Sequence, residues 1–321
     1  MKSGGTLKNL MRKSPAVARQ FRPCGKPDSA GDEVTFQGIH KTGIPCLERM
    51  YGDRVAVKLT NKCPAYCVFC FRRWTNAKLP EPAQKDLKRA AAYIKKDKRI
   101  TGVLITGGEP LREPEKLEYL IGLLGKIPHV TDIRVGTRAP LTAPKLVTAK
   151  LIALLKKHGI EVGIHFNHPD ELVPAAQAIK KMTGAGIRVY SQSVLLKGIN
   201  DSGPVLEELF RGLRSLGVEI YALYHCDPVK GAMPLRTTIE KGLEIKKYLR
   251  AHSTGRINPA YIVDTRVGKV EIGVDGTIEK RQGRFVWIRT PYQYPKSLLP
   301  GGICRVNRDG TVSVKYRDGE K

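Results

Sequence analysis

Three cysteines lie within eight positions of the sequence, Cys63, Cys67 and Cys70, in the stretch NKCPAYCVFCFRR. A structural zinc site wants four ligands, commonly two CxxC pairs, and no second pair is found here. A thioredoxin-like CxxC motif needs only two cysteines. Three thiolates on one short loop can bind three irons of a [4Fe–4S] cluster and leave the fourth iron open for a substrate or cosubstrate. The spacing therefore favours such a cluster.

The other cysteines, Cys24, Cys46, Cys226 and Cys304, lie far apart and lack the spacing of metal ligands. The total of seven is odd, and no secretion signal is evident. This usage does not fit a disulfide framework; it indicates a reducing cytoplasm and a metal site. We expect these four cysteines to be individually dispensable for cluster content.

The chain has 321 residues, 41% of them apolar and 27% charged, which is typical of soluble globular proteins. No apolar run reaches about 18 residues, so we expect no membrane span. A net charge of +26 attracts anions, including nucleic acids and phosphate-bearing cofactors. The lysines are spread along amphipathic helices such as KDLKRAAAYIKKDK, and the aromatic residues are too scattered for a base-stacking surface. A nucleic-acid partner is therefore only weakly supported.

Strand-like and helix-like segments alternate through the middle of the chain. RVAVKLT (54–60) leads into the cysteine stretch, and the spacing of Leu87, Ala90, Ala91 and Ile94 predicts a helix. Six such strand–helix units predict an α/β fold, a partial (β/α)6 TIM-like barrel, because eight units would close a full barrel. The cysteines follow the first strand, at the end where these folds place their chemistry.

Changes in charge, strand-like runs and turn residues along the sequence also predict the domain organisation. Residues 1–50 form a basic N-terminal extension, for which a flexible arm is favoured over a transit peptide. Residues 51–255 form the partial barrel. Residues 256–321 contain short strand-like runs separated by Gly-Thr and Asp-Gly turns, which predict a β-rich cap of hairpins.

The C-x3-C-x2-C spacing, with Phe69 before the last cysteine, resembles the radical S-adenosylmethionine (SAM) enzymes. TGGEP follows the next predicted strand and resembles that superfamily's Gly-Gly-Glu segment. The resemblance implies that SAM binds the open iron and is cleaved to a 5′-deoxyadenosyl radical. It also implies that Gly107, Gly108 and Glu109 contact SAM.

Longer segments resemble the lysine 2,3-aminomutase family in order and spacing. They are YGDRVAVKLTNKCPAYCVFCFRRW, IRVGTRAPLTAP, IHFNHPDE, SQSVLLKGIND, YALYHCDPVKGAMPLRT and INPAYIVD. The resemblance implies a 1,2-amino migration on lysine or a related basic amino acid. It assigns the substrate carboxylate to Arg72 and the distal ammonium to Asp227 and Asp264.

The resemblance further implies pyridoxal 5′-phosphate (PLP) as a cofactor. It places Thr137, Arg138, His165 and Gln192 around SAM and PLP, and Tyr51 and Arg54 at the PLP phosphate, with Lys269 as the candidate lysine for an imine. The sequence departs from the family at this point, because VDTRVGKVEI lacks the glycine-rich run before the lysine and Met50 replaces an arginine. Ser202 occupies the position of the family's first zinc cysteine, so zinc is not expected.

Three functions remain open at this stage. The first is a PLP-using amino acid 2,3-aminomutase. The second is a PLP-independent radical SAM enzyme with a changed reaction on an amino-acid-like substrate, and the third is a radical SAM enzyme that modifies a nucleic acid or a protein partner. Each needs an electron donor of the reduced ferredoxin or flavodoxin type, and a homodimer is a further expectation.

Overall fold

Residues 5–22, 40–76, 78–274 and 276–319 are described by a computed structural model. In this part of the chain, nine strands form one sheet in which each strand lies beside its neighbours in sequence. They are β1 Leu47–Glu48, β2 Arg54–Thr60, β3 Gly102–Gly107, β4 Asp132–Thr137, β5 Glu161–His165, β6 Val189–Leu195, β7 Glu219–His225, β8 Ala260–Thr265 and β9 Gly268–Glu271.

Strands β2 to β8 pair in parallel, and the short edge strands β1 and β9 pair antiparallel to them. Six helix-containing crossovers connect the parallel strands, so the predicted partial (β/α)6 barrel is confirmed. β8 adds a seventh parallel strand. β8 and β9 come from the segment predicted as the cap, yet they extend the barrel sheet.

The described helices are α1 Gly5–Lys13, α2 Pro15–Phe21, α3 Arg73–Asn76, α4 Gln84–Lys96, α5 Pro114–Leu124, α6 Ala139–Thr142, α7 Ala149–Lys157, α8 Leu172–Gly184, α9 Gly203–Ser215 and α10 Ile239–His252. The stripe predicted in α4 is buried at all four positions. Burying one apolar face against the sheet is what stabilises such a helix. No helix in the described part of the chain has the length and apolarity that a bilayer crossing requires.

A second, four-stranded antiparallel sheet follows the barrel. Its strands are β10 Ile278–Gln282, β11 Phe285–Gln293, β12 Cys304–Val306 and β13 Thr311–Arg317, in the order β10-β11-β13-β12. Buried Arg236 donates to the Tyr316 hydroxyl (3.1 Å) and the Arg317 carbonyl (2.7 Å), and the Asp318 carboxylate accepts from the Ile239 amide (3.0 Å). These bonds attach the end of β13 to the segment that starts α10.

The N-terminal residues 5–22 form two packed helices. Leu7, Val17 and Phe21 are buried in the main core, and the Ser14 hydroxyl caps α2 by accepting from the Val17 amide at 3.2 Å. The prediction of a flexible arm is therefore wrong for these residues, because it considered their positive charge and missed their apolar spacing. Cys24 lies outside the described residues.

Candidate active site

One cavity of about 520 Å³ lies inside the barrel sheet and extends to the carboxyl ends of its strands. All sixteen residues singled out from the sequence line it: Tyr51, Arg54, Cys63, Cys67, Cys70, Arg72, Gly107, Gly108, Glu109, Thr137, Arg138, His165, Gln192, Asp227, Asp264 and Lys269. The fold therefore brings together residues that are up to 218 positions apart, such as Tyr51 and Lys269. Their individual roles remain predictions.

The cysteine loop begins where β2 ends and is fixed at its start. The Thr60 hydroxyl and the Asn61 amide both donate to the Glu81 carboxylate, at 2.5 and 2.9 Å. Burial and the neighbouring Cys67 thiol raise the pKa of Cys70 to about 11, and a bound metal would favour its thiolate form.

The three thiols offer the donor set of an iron–sulfur cluster. Among the described residues, no group of three His, Cys, Asp or Glu side chains is already placed to hold a metal ion. In a [4Fe–4S] cluster each thiolate binds a different iron, so the sulfurs need not converge. The three cysteines lie on one loop and line one cavity. Together they could supply the donors for such a cluster.

The Gly-Gly-Glu segment packs directly against the start of the cysteine loop. The Gly108 amide donates to the Thr60 carbonyl at 2.6 Å, and the Glu109 amide donates to the Lys62 carbonyl at 2.8 Å. A Cβ on Gly108 would lie 2.2 Å from the Lys62 oxygen, and Gly107 has a φ of +124°. Both positions thus require glycine, because a side chain would push the two strand ends apart.

The Glu109 carboxylate accepts hydrogen bonds from three groups of the protein itself. It accepts from the Thr137 hydroxyl at 2.7 Å, the Arg138 amide at 3.0 Å and the Leu111 amide at 3.2 Å. Burial raises the pKa of Glu109, and these three donors oppose that shift by stabilising the carboxylate. Glu109 thereby ties the end of β3 to the end of β4.

The Arg138 side chain points to the cysteine loop. Its Nη1 donates to Cys67 Sγ at 2.9 Å, and its Nη2 donates to Glu171 at 2.9 Å and to Gln20 at 2.5 Å. Asn167 joins the same buried network. Reasoning from sequence missed Gln20, Glu171 and Asn167. IHFNHPDE, quoted for the resemblance, contains two of them, but no local pattern indicated Gln20.

His165 and Gln192 lie on neighbouring strands and pair with each other in the sheet register. The His165 Nε2 lies 3.1 Å from Asn167 Oδ1, and its ring lies 5.3 Å from the Phe69 ring. Burial, reinforced by the positive charge of Arg138, lowers the pKa of His165 to about 3. The imidazole is therefore neutral at physiological pH.

Arg72, the predicted carboxylate ligand, already holds a carboxylate of the protein. Its Nη1 and Nη2 donate to the two oxygens of Glu48 at 2.7 and 2.6 Å, and Lys58 Nζ lies 3.6 Å from the same Glu48 carboxylate. Burial alone would raise the pKa of Glu48, but the charge of Arg72 outweighs it and lowers that pKa. Reasoning from sequence missed Glu48, because it carries no motif.

The two predicted ammonium ligands differ in their partners. Asp264 pairs with Lys269 Nζ at 2.7 Å, whereas Asp227 Oδ1 is buried and has no hydrogen-bond partner among the described residues. Burial and the adjacent Asp264 raise the pKa of Asp227 to about 8. Arg236, which is nine positions from Asp227 in the sequence, donates to the Cys226 carbonyl at 2.8 Å and to the Tyr316 hydroxyl of β13 at 3.1 Å. Asp227 Oδ1 thus has hydrogen-bonding capacity that the described residues do not use.

The residues predicted around PLP form a second group on the cavity wall. The Lys269 amide donates to the Tyr51 hydroxyl at 2.8 Å, and the Arg54 guanidinium lies 3.9 Å from the Tyr51 ring centroid. A primary amine, an aromatic ring and a guanidinium in one cavity fit a PLP site in the chemistry of their groups. Burial would lower the pKa of Lys269, but Asp264 outweighs it and raises that pKa.

Solved structures show the fold independently. SuiB of Streptococcus suis bound to S-adenosylmethionine superposes with a TM-score of 0.52 at 16% identity, over 67% of this chain and 47% of that chain. At this identity the likeness concerns the fold alone.

Sequence comparison gives the family. The Radical SAM superfamily profile matches residues 57–209. A putative L-lysine 2,3-aminomutase of Aquifex aeolicus is 39% identical over 85% of this chain and 74% of its own length. L-lysine 2,3-aminomutase of Clostridium subterminale is 34% identical over 82% of this chain and 66% of its own length. Glutamate 2,3-aminomutase of Clostridioides difficile is 35% identical over 75% of this chain and 57% of its own length. The chain thus spans between about half and three quarters of these relatives, and it belongs to the lysine 2,3-aminomutase family of the radical SAM superfamily.

Proposed function

We propose that this protein is a radical SAM aminomutase that acts on lysine or a related basic amino acid. Family membership implies a [4Fe–4S] cluster and SAM. The observation that carries the proposal is a single cavity lined by the three cysteines, the Gly-Gly-Glu segment and Asp227, whose Oδ1 has no hydrogen-bond partner among the described residues. When bound and reduced, the cluster with SAM supplies a 5′-deoxyadenosyl radical that removes a hydrogen atom from the substrate.

In this proposal, residues at one end of the cavity bind the cluster and SAM, and residues at the other end bind the substrate. At one end Cys63, Cys67 and Cys70 hold the cluster, and Gly107, Gly108 and Glu109, which line the same cavity, contact SAM. At the other end Asp227 binds the distal ammonium of the substrate, since a buried charge without a partner is unfavourable by several kcal/mol. A substrate carboxylate must share Arg72 with Glu48 or displace it.

The radical step is tested by incubating reconstituted, reduced protein anaerobically with SAM and deuterated amino acids. We expect methionine and 5′-deoxyadenosine, with deuterium transferred from lysine more than from leucine, and β-lysine as product. A cluster-replete protein that neither binds nor cleaves SAM would contradict the proposal.

PLP is the finer part of the proposal. When bound, PLP supplies an aldehyde that carries the migrating amino nitrogen. Lys269 would hold it covalently, and Arg54 with Tyr51 would face its phosphate. Lys269 must first lose its proton, which Asp264 opposes through their 2.7 Å ion pair.

The same ion pair favours a second candidate, a radical SAM enzyme that works without PLP. An ammonium that is held by a carboxylate is a poor nucleophile, and the segment VDTRVGKVEI has few glycines to cup a phosphate. Borohydride reduction followed by peptide mass analysis separates the two candidates. A pyridoxyl group on Lys269 that is absent from Lys269→Met supports PLP, and an unmodified Lys269 supports the second candidate.

Partners beyond the substrate also belong to the proposal. The cluster needs a one-electron donor of low potential, of the ferredoxin or flavodoxin type, and the positive charge of the chain suits an acidic donor. A homodimer is a further part of the proposal and is tested by light scattering. A nucleic-acid partner would give a salt-dependent gel shift at micromolar protein, which we do not expect.

A further inference from the structure

We propose that helix α2 is part of the cluster site, and that Gln20 is a positioning residue that holds Arg138 against the cluster ligand Cys67. This inference rests on the proposed function, because it requires that Cys67 bind a cluster. It concerns a segment that precedes the matched superfamily region, residues 57–209.

Gln20 uses both ends of its side-chain amide inside the protein. Its Oε1 accepts from Arg138 Nη2 at 2.5 Å and from Asn167 Nδ2 at 3.0 Å, and its Nε2 donates to Glu171 Oε1 at 2.6 Å. The side chains of Gln20, Asn167 and Glu171 are fully buried. A buried polar network with all these bonds made is rigid and specifies one arrangement of its members.

Helix α2 also contacts the cysteine loop through its backbone, and it contacts Arg138 through the ring of its last residue, Phe21. The Gln20 carbonyl accepts from the Val68 amide at 2.8 Å, between Cys67 and Cys70. The Arg138 guanidinium carbon lies 4.7 Å from the Phe21 ring centroid, which is within cation–π distance. The helix therefore holds the loop main chain and the arginine at once.

The result of this packing is a charged donor directed at a ligand sulfur. Arg138 Nη1 lies 2.9 Å from Cys67 Sγ. Reduction adds an electron to the cluster, and a positive donor at a ligand sulfur stabilises the added negative charge. Arg138 should therefore raise the reduction potential of the cluster, and Gln20 should do so indirectly by fixing Arg138.

The chain offers a matched control on the same helix. Arg19 Nη1 donates to the Gly198 carbonyl at 3.0 Å and, within the described part of the chain, makes no hydrogen bond to the Arg138 network. Arg19→Gln removes a docking contact of α2 and leaves Gln20 in place. Gln20→Met keeps the length of the side chain and removes its amide.

The test is a potentiometric titration of the reconstituted cluster, followed by electron paramagnetic resonance, with iron content and thermal melting measured in parallel. We expect Gln20→Met to move the midpoint to a more negative potential, or to lower iron content with the helical circular dichroism retained, and Arg19→Gln to match the wild type. Gln20→Asn, whose amide is one methylene shorter, should move the midpoint in the same direction.

The inference is overturned if Gln20→Met and Gln20→Asn keep wild-type midpoint and iron content, or if Arg19→Gln shifts the midpoint equally. The failure of the proposed function has a different signature, because then the wild type itself would bind no cluster or would not cleave SAM.

Discussion

The two ends of the cavity are built differently. At the cluster end, main-chain groups at the strand ends make key contacts: the Glu109 carboxylate accepts from the Arg138 amide, and the Gly108 amide donates to the Thr60 carbonyl. The Arg138–Glu171 ion pair adds one contact between charged side chains there. At the substrate end, charged side chains pair with other charged side chains of the same cavity, as in Arg72 with Glu48 and Asp264 with Lys269.

This difference suggests how each end of the cavity responds to substitutions. Backbone contacts and glycines leave little freedom, because a single added carbon would strain the strand ends. Ion pairs between side chains can be exchanged for pairs with a ligand of the same charge without moving the backbone. We therefore expect substitutions at the cluster end to abolish function, and those at the substrate end to change specificity.

The largest effect should come from Cys67→Ala. One thiolate fewer leaves one iron of the cluster without a protein ligand, and the Arg138 donor loses its acceptor. Iron and sulfide analysis should show the cluster absent or severely depleted, with no 5′-deoxyadenosine formed. Cys304→Ser, outside the cysteine loop, is the control and should retain wild-type iron. Retention of four irons by Cys67→Ala would refute the ligand assignment.

Gly108→Ala should have the next largest effect. Its Cβ would lie 2.2 Å from the Lys62 carbonyl oxygen, so β3 and the cysteine loop must separate. Such overpacking typically costs about 1–3 kcal/mol, and we expect at least a tenfold loss of SAM affinity by calorimetry. Gly122→Ala in α5 is the matched control, since nothing lies within 4 Å of its added carbon. Equal SAM affinity in both variants would contradict the strained contact.

At both ends of the cavity, the residues that belong to local motifs or to the segments of the family resemblance could be predicted from the sequence, and their buried tertiary partners could not. Local motifs fix Cys63, Cys67, Cys70 and the Gly-Gly-Glu segment, because their spacing along the chain already determines their geometry. Strand periodicity likewise predicted the barrel. Glu48 lies 24 positions before its partner Arg72, and Gln20 lies 118 positions before its partner Arg138. Tertiary packing alone brings them to the site, and no short-range sequence pattern indicates such partners.

Asp227→Asn should change specificity and pH dependence. The pKa of Asp227 is raised to about 8, so its carboxylate becomes available to a substrate ammonium only as the pH rises towards 8. The KM for lysine should therefore fall between pH 6 and 8 in the wild type. In Asp227→Asn we expect a KM roughly tenfold higher at pH 8, the effect of about 1.4 kcal/mol of lost attraction, and no change with pH over this range.

The raised pKa of Asp227 also predicts how the stability of the ligand-free protein depends on pH. A raised pKa means that ionisation of Asp227 opposes folding, so this contribution is favourable at low pH and is lost as the pH rises through about 8. Asp227→Asn should melt above the wild type at pH 8.5, and the difference should vanish near pH 4. A constant difference at both pH values would exclude the titration of Asp227 as its cause.

The smallest effect is expected from Glu48→Gln. Glu48 binds both terminal nitrogens of Arg72 and so competes with any substrate carboxylate for the same donors. Glutamine keeps the shape and can still accept one bond, but it removes the negative charge. The KM for lysine should fall a few-fold, whereas that for lysinamide, which has no carboxylate, should not. Equal changes for both compounds would show that Arg72 does not bind the substrate carboxylate.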